Sequence, residues 1–297
     1  MPEANLRRIL ENPTLHPNAL TEEERHAGRI KWHGHADLPN SSQILCISAF
    51  GTLRYFEVRN EVIDRFVESV LPAYQSEPQV PKWDIFLEHE RPELLNEMGS
   101  GRATSIDALL VSSKAVIAVE AKFAVDAEKG FGTCSTFHSS SRGCAGFYGP
   151  GSDLKTKSDA WCRLEAWDGR RSPRTYWALG RSYFRPETFR MQDESGTCPF
   201  RDNNYQLMRN FLFAASYAHR RKIPLYGVIT IAPPATSSDL ADQVDAFQSR
   251  VLQPQFADLI QHTTYGKYLN ALRSFGDPSC AELAEFLDTR IDKVING

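Results

Sequence analysis

The sequence predicts an α/β layered fold, and two observations predict it. Segments of strand character alternate with segments of helical period, the pattern of a sheet with helices laid on it. The strand-like residues 107–112 and 115–122 are also apolar on both alternating faces, so their sheet needs cover on both sides.

The elements follow in order along the chain. Residues 5–38 are mixed, with Pro13, Pro17, His33-Gly34-His35 and Pro39 marking irregular chain. The Ser41-Ser42 pair is placed to cap a short helix that includes Gln43, Cys46 and Phe50. Residues 54–71 read as an amphipathic helix with Phe56, Ile63, Phe66, Val67 and Val70 on one side, ending at Leu71-Pro72. Residues 83–90 alternate as a first strand. Residues 107–112 and 115–122, rich in Val, Ile, Leu and Ala, form a hairpin about Ser113-Lys114, although that turn lacks the favoured Asn-Gly chemistry. A Gly/Ser-rich loop covers 129–153. Residues 203–221 form a helix whose Leu207, Phe211 and Ala214 face the core, and Leu225–Ile231 is a further strand closed by Pro233-Pro234. Helices are expected over 237–252 and 255–274, separated near Pro254, and over 279–295. Together these give a single domain over 1–297. Its core covers roughly 40–235, with a Cys- and Arg-rich insertion at 129–200 and a helical C-terminal extension at 237–297.

Composition bounds the class. A chain of 297 residues can bury a sizeable core, and 41% hydrophobic with 24% charged residues is ordinary for a globular protein rather than a disordered one. No apolar run approaches the ~20 residues that cross a bilayer. The N-terminus lacks the apolar centre of a signal peptide, so a cytoplasmic protein with no membrane partner is expected. A net charge of -3 does not advertise nucleic-acid binding, but its distribution is uneven. Residues 161–190 hold seven arginines against three acids, interleaved with Trp161, Trp167, Tyr176, Trp177, Tyr183, Phe184 and Phe189. Such a segment suits phosphates and unpaired bases, or equally a solvated face over an aromatic core. Residues 239–297 carry nine acids and five basic residues, so DNA is expected elsewhere.

The hairpin carries the chemistry. Folding about Ser113-Lys114 sets Val111 opposite Val116, Leu109 opposite Ala118 and Asp107 opposite Glu120, and Lys122 shares the Glu120 face. A three-residue turn would shift this register by one. Charges gathered at the end of an apolar hairpin are costly to bury unless something binds them. A divalent metal and a phosphate meet that need. Mg²⁺ takes oxygen ligands, here Asp107, Glu120 and the Ala121 carbonyl, and polarises phosphate and water. Lys122 orients the water and balances charge. The competing reading is a plain salt bridge between Lys122 and one carboxylate at a sheet edge.

The pattern Asp107, twelve residues, then Glu120-Ala121-Lys122 resembles the PD-(D/E)XK nuclease superfamily in its restriction-endonuclease-like form, with Ile106 where proline is usual. Residues 41–53, the later cysteines and Tyr205-Gln206-Leu207-Met208-Arg209-Asn210 resemble a bacterial branch described as restriction endonucleases, over most of 15–235. The resemblance implies a central mixed β-sheet flanked by helices on both faces, with helical additions at the C-terminus. It implies a DNA endonuclease that uses Mg²⁺ or Mn²⁺ in restriction or another defence system. DNA is the expected partner, with a homodimer as an option. It also implies a further carboxylate from a helix before the first strand. Glu61 lies in that region, with Glu57, Glu68 and Gln43 as rivals, and Glu88 and Glu90 could support from the first strand. Gln206 and Asn210, one helical turn apart, are expected near the site, with Arg209 beside them. The catalytic set is therefore Asp107, Glu120, Lys122, Glu61 and Gln206, with Asp107 and Glu120 on the metal.

Two alternatives use the same residues: a DNA repair or recombination nuclease, and a non-catalytic nucleic-acid-binding module that keeps the fold. The cysteines raise a separate question. Cys134, Cys144, Cys162 and Cys198, with His138 among them, could staple the insertion through Zn²⁺, and some superfamily members carry a four-cysteine iron–sulfur cluster. No Cys-x-x-Cys pair is present, and ordinary buried thiols compete with both readings.

Overall fold

The hairpin forms about Ser113-Lys114, whose turn is closed by the Ser112 side chain: its Oγ accepts from Lys114 N at 3.2 Å and Ala115 N at 3.1 Å. Those two bonds stand in for the missing glycine chemistry. The computed structural model describes residues 3–26, 28, 30–76, 78–99, 103–123, 130–134, 174–189, 198–200 and 204–296. In chain order the helices are α1 (Glu3–Leu10), α2 (Ser42–Cys46), α3 (Arg59–Val70), α4 (Tyr176–Gly180), α5 (Tyr205–Arg221), α6 (Ser237–Arg250), α7 (Tyr265–Arg273) and α8 (Pro278–Asn296). The strands are β1 (Asp84–Glu90), β2 (Ser105–Val111), β3 (Ala115–Ala121), β4 (Leu225–Ala232) and β5 (Ile260–Thr264).

The sheet runs in the order β1-β2-β3-β4-β5. β1, β2 and β3 form an antiparallel meander, and β4 and β5 then add in parallel. The hairpin register is the expected one: Val111 faces Val116, Leu109 faces Ala118 and Ala108 faces Val119. The crossover from β3 to β4 carries α5, as a parallel connection requires.

Both faces of the sheet are covered. On one, Ala108, Leu110, Ile117 and Val119 pack with residues of α2, α3, α7 and α8, including Phe66, Tyr268 and Leu283. On the other, Leu109, Val111, Val116 and Ala118 pack under α5 and α6 through Leu207, Phe211, Ala214 and Phe247. Tyr176, Trp177 and Phe184 are buried in this second core, and Tyr183 packs edge-on against Phe211, Tyr226 and Phe256. These aromatics of the arginine-rich segment therefore serve packing, not base stacking. Trp161, Trp167 and Arg163, Arg170, Arg171 and Arg190 lie outside the described residues, as do Cys144, Cys162 and His138 of the cysteine cluster. Cys134 and Cys198 pack against the α5 side of the sheet.

The C-terminal region departs from expectation. Residues 255–274 are not one helix: Pro254–Leu259 is a 3-10 segment, Ile260–Thr264 is strand β5, and α7 follows. The open edge of β4 decides this, because β5 satisfies that edge's backbone groups and Ile260, Thr263 and Thr264 are β-branched. A half-buried histidine locks the strand in place. His262 sits between Thr230 Oγ1 on β4 (2.7 Å to Nδ1) and Ser237 Oγ at the start of α6 (2.8 Å to Nε2). Burial lowers its pKa to about 4, so the ring is neutral near pH 7 and one nitrogen accepts while the other donates. We expect His262→Ala to lower unfolding free energy by about 1–3 kcal/mol, because the buried Thr230 hydroxyl loses its partner. Urea denaturation at pH 7 measures this.

Candidate active site

The site lies at the end of the hairpin away from its turn. Glu120 is on β3 and Lys122 follows it, both facing α5, which covers that face of the sheet. Residues two apart on a strand are ~6.6 Å apart, and residues four apart on a helix rise ~6 Å. The two elements are therefore commensurate, and four side chains interlock. Lys122 Nζ lies 3.0 Å from Glu120 Oε1 and donates to Gln206 Oε1 at 2.8 Å. Asn210 Nδ2 donates to the other Glu120 oxygen at 2.6 Å. All but Gln206 are buried: Glu120 is 3% exposed, Lys122 6% and Asn210 2%. The first amides of α5 are held by the preceding loop, Gln206 N donating to Phe131 O at 2.8 Å. The Phe131 ring lies 5.7 Å from Lys122 Nζ. Gly132 has a φ of +69°, and a Cβ there would crowd the Gln206 amide.

Asp107 reaches this group by a different route. Simple alternation would set it on the α5 face, yet Ile106 and Leu109, three residues apart, both lie in the α5-side core. The alternation slips between them, and Asp107 turns across to β3, where Oδ2 accepts from Ala121 N at 2.8 Å. The slip is matched on β1: Phe86 and His89, also three apart, stand 5.0 Å from each other, and His89 meets Phe213 and Tyr217 of α5. Glu88 lies between them with a φ of +46°. Its Oε2 accepts from Ser105 Oγ at 3.0 Å.

The electrostatics follow from three acids and one lysine. Burial raises the Asp107 pKa well above the carboxylate range, Glu120 and Glu88 push it further, and the Ala121 amide and Lys122 pull it back. Burial pushes Glu88 up to about 7, against the Gln43 amide and the Ser105 hydroxyl, with Glu120 and Glu90 adding to the rise. Cys46 lies near the same acids, and burial followed by Asp107, Glu88 and Glu120 raises its thiol pKa, which favours the neutral thiol over the thiolate. The donors here are oxygens, and one lysine leaves the acids short of positive charge. That set suits a hard divalent cation such as Mg²⁺. Among the described residues no three His, Cys, Asp or Glu side chains are already gathered around a metal position, and Glu120 is engaged by Lys122 and Asn210.

The other predicted residues fall as follows. Asn60, next to Glu61, accepts from Trp83 N, so the first turn of α3 sits at the start of β1, the end of the sheet that holds the hairpin turn. Glu61 is thus not brought to Asp107. Glu57 is exposed, Glu68 accepts from Ser76 N at 3.2 Å, and Glu90 pairs with Lys31. Gln43, by contrast, is 1% exposed on α2, which packs against β2 and β3. Arg209 is engaged within the protein. It donates to Thr104 Oγ1 at 2.9 Å, lies 3.8 Å from Glu97 Oε1 and covers the Tyr205 ring. Sequence reasoning missed Glu97. It is buried and accepts from Thr104 N at 2.6 Å, Thr104 Oγ1 at 2.8 Å and the Tyr176 hydroxyl, which ties the chain after β1 to α4 and α5. No spacing in the sequence marks that knot.

The raised Asp107 pKa has a consequence for stability. Its folded-state value exceeds the unfolded ~3.9, so the folded protein binds the extra proton and stability falls as pH rises through and above ~4. Asn cannot ionise and still accepts from Ala121 N. We expect metal-free Asp107→Asn to melt above the parent at pH 7.5, with the gain shrinking towards pH 5, as read by calorimetry. A Tm at or below the parent at pH 7.5 would contradict this.

A protein-family model described as "Restriction Endonuclease associating with ARP" matches residues 2–290. No curated protein and no solved structure matches the chain.

Proposed function

The chain belongs to the family of restriction endonucleases associating with ARP, a nuclease family, and from that premise we propose that it is a DNA endonuclease dependent on Mg²⁺ or Mn²⁺, acting in restriction or another defence system. One observation carries the reading: Glu120 and Lys122 are paired at 3.0 Å on one strand, while Asp107 on the neighbouring strand is bonded to the residue between them.

Asp107 and Glu120 would hold the cation, with the Ala121 carbonyl beside them. A bound divalent cation polarises a phosphoryl oxygen and lowers the pKa of a water. The chain does the rest. Lys122, steadied by Gln206 Oε1 at 2.8 Å, holds a cationic donor where charge develops on the phosphate and orients the attacking water. Asn210 fixes the Glu120 carboxylate, and the Ala121 amide fixes one Asp107 oxygen while leaving the other available. Burial strengthens each of these interactions. Among the described residues no helix is long and apolar enough to cross a membrane.

The test is cleavage of mixed duplex, single-stranded and branched DNA with Mg²⁺ or Mn²⁺. Asp107→Ala, Glu120→Ala and Lys122→Ala are each expected to lose at least ~10²-fold in rate, the scale for removing a group that stabilises developing charge. Gln206→Ala, which frees Lys122 without removing its charge, is expected to lose less. Parental rates in all three alanine variants would refute the proposal, and a preference for branched over duplex DNA would favour a repair substrate.

A further inference from the structure

We propose that Glu88 is the third acid of the cation site, carried by β1 in place of an acid on the preceding helix, and that Gln43 positions it. The inference rests on the metal-dependent reading above and adds a residue to it.

Register comes first. β1 pairs Leu87 with Ala108 and His89 with Ile106, so Glu88 stands across from Asp107. The count is the same on either side, so no residue is inserted there. Even so, Glu88 takes the left-handed φ of +46°, which costs a non-glycine residue about 1–3 kcal/mol and persists only where surrounding structure enforces it. The slip seats His89 beside Phe86 on the α5 face, where Glu88 would otherwise have pointed.

The carboxylate is only half satisfied. Ser105 Oγ holds Oε2 at 3.0 Å, while Oε1 is shielded from solvent and no donor among the described residues meets it in full hydrogen-bond geometry, although the Gln43 amide faces this carboxylate. An orphaned, solvent-shielded acid oxygen beside two other carboxylates is a costly arrangement in the metal-free protein. A cation shared with Asp107 resolves it.

The helix that reaches this end of the sheet offers no charge. α2 presents Gln43, whose amide is fixed at both ends: Oε1 accepts from His33 N at 2.8 Å and Nε2 donates to Lys31 O at 2.9 Å. So anchored, Gln43 turns an amide group, and no charge, towards Glu88. Glu61, the helix acid favoured from sequence, lies towards the other end of the sheet. The missing negative charge is instead supplied from β1.

Titration of Mn²⁺ into the metal-free full chain by calorimetry tests this, with thermal melts run beside it. Glu88→Gln keeps the side-chain shape and is expected to weaken Mn²⁺ binding by roughly tenfold or more, the scale for losing a group that tunes a metal site. Asp107→Ala is expected to lose binding. Glu88→Asp keeps the charge on a shorter arm and is expected to bind Mn²⁺ more tightly than Glu88→Gln, whatever either does to Tm. Equal affinities in those two variants, or parental affinity in Glu88→Gln while Asp107→Ala loses binding, would overturn the role of Glu88 and leave the metal-dependent reading intact. A parent chain that binds no Mn²⁺ would overturn that reading, and this inference with it.

Discussion

The structure turns on one buried pair, Glu120 with Lys122, held against the sheet by Gln206 and Asn210. An ion pair this deep is no stabiliser by default, since desolvation of both groups offsets their attraction. Its geometry is tolerable because every polar end is met: Lys122 by Glu120 and Gln206, Glu120 by Lys122 and Asn210. That arrangement requires α5 to sit over the end of β3 in one rotation and one axial position. The crossover loop sets that position by capping the first amides of α5 with the Phe131 and Gly132 carbonyls.

The rest of the molecule can be understood as holding that helix and that strand end together. The core under α5 and α6 presses the helix onto the sheet, and the second core of α2, α3, α7 and α8 supports the hairpin from behind. The Glu97 knot ties Arg209, on the same helix, to the chain that leads into β2. Two strands lose their alternation at the same level, Asp107 on β2 and Glu88 on β1. This turns acids from both strands off the α5 face, where they still feel the Glu120 charge, while the apolar residues on either side keep to the α5 core. Strain and unpaired charge concentrate where a cation is expected, consistent with strain being kept at sites that use it.

Much of this was legible in the sequence because it is local. Strand period and a two-residue turn decide the pairing of Val111 with Val116 and of Leu109 with Ala118, which brings Asp107 level with Glu120, but the slip that takes Asp107 off the Glu120 face and onto the Ala121 amide has no signal in the sequence. Gln206 and Asn210 were legible from their helical spacing. What could not be read depends on contacts between distant elements. Nothing in residues 54–71 says that Asn60 caps Trp83 and so holds Glu61 near the far end of β1. Nothing in residues 83–90 announces a left-handed residue, since a Glu in an alternating run reads as ordinary strand. Strand β5 reads as helix from sequence because five residues of mixed polarity have no decisive period, and the edge of β4 settles the matter.

Asp107 and Glu120 are proposed to share a cation. Anomalous diffraction from crystals of the protein soaked in Mn²⁺ tests it most directly. A shared cation gives a peak within coordination distance of an Asp107 and a Glu120 oxygen, with Lys122 beside it. Peaks only at other carboxylates, or none at this site when Mn²⁺ is bound elsewhere, would contradict it.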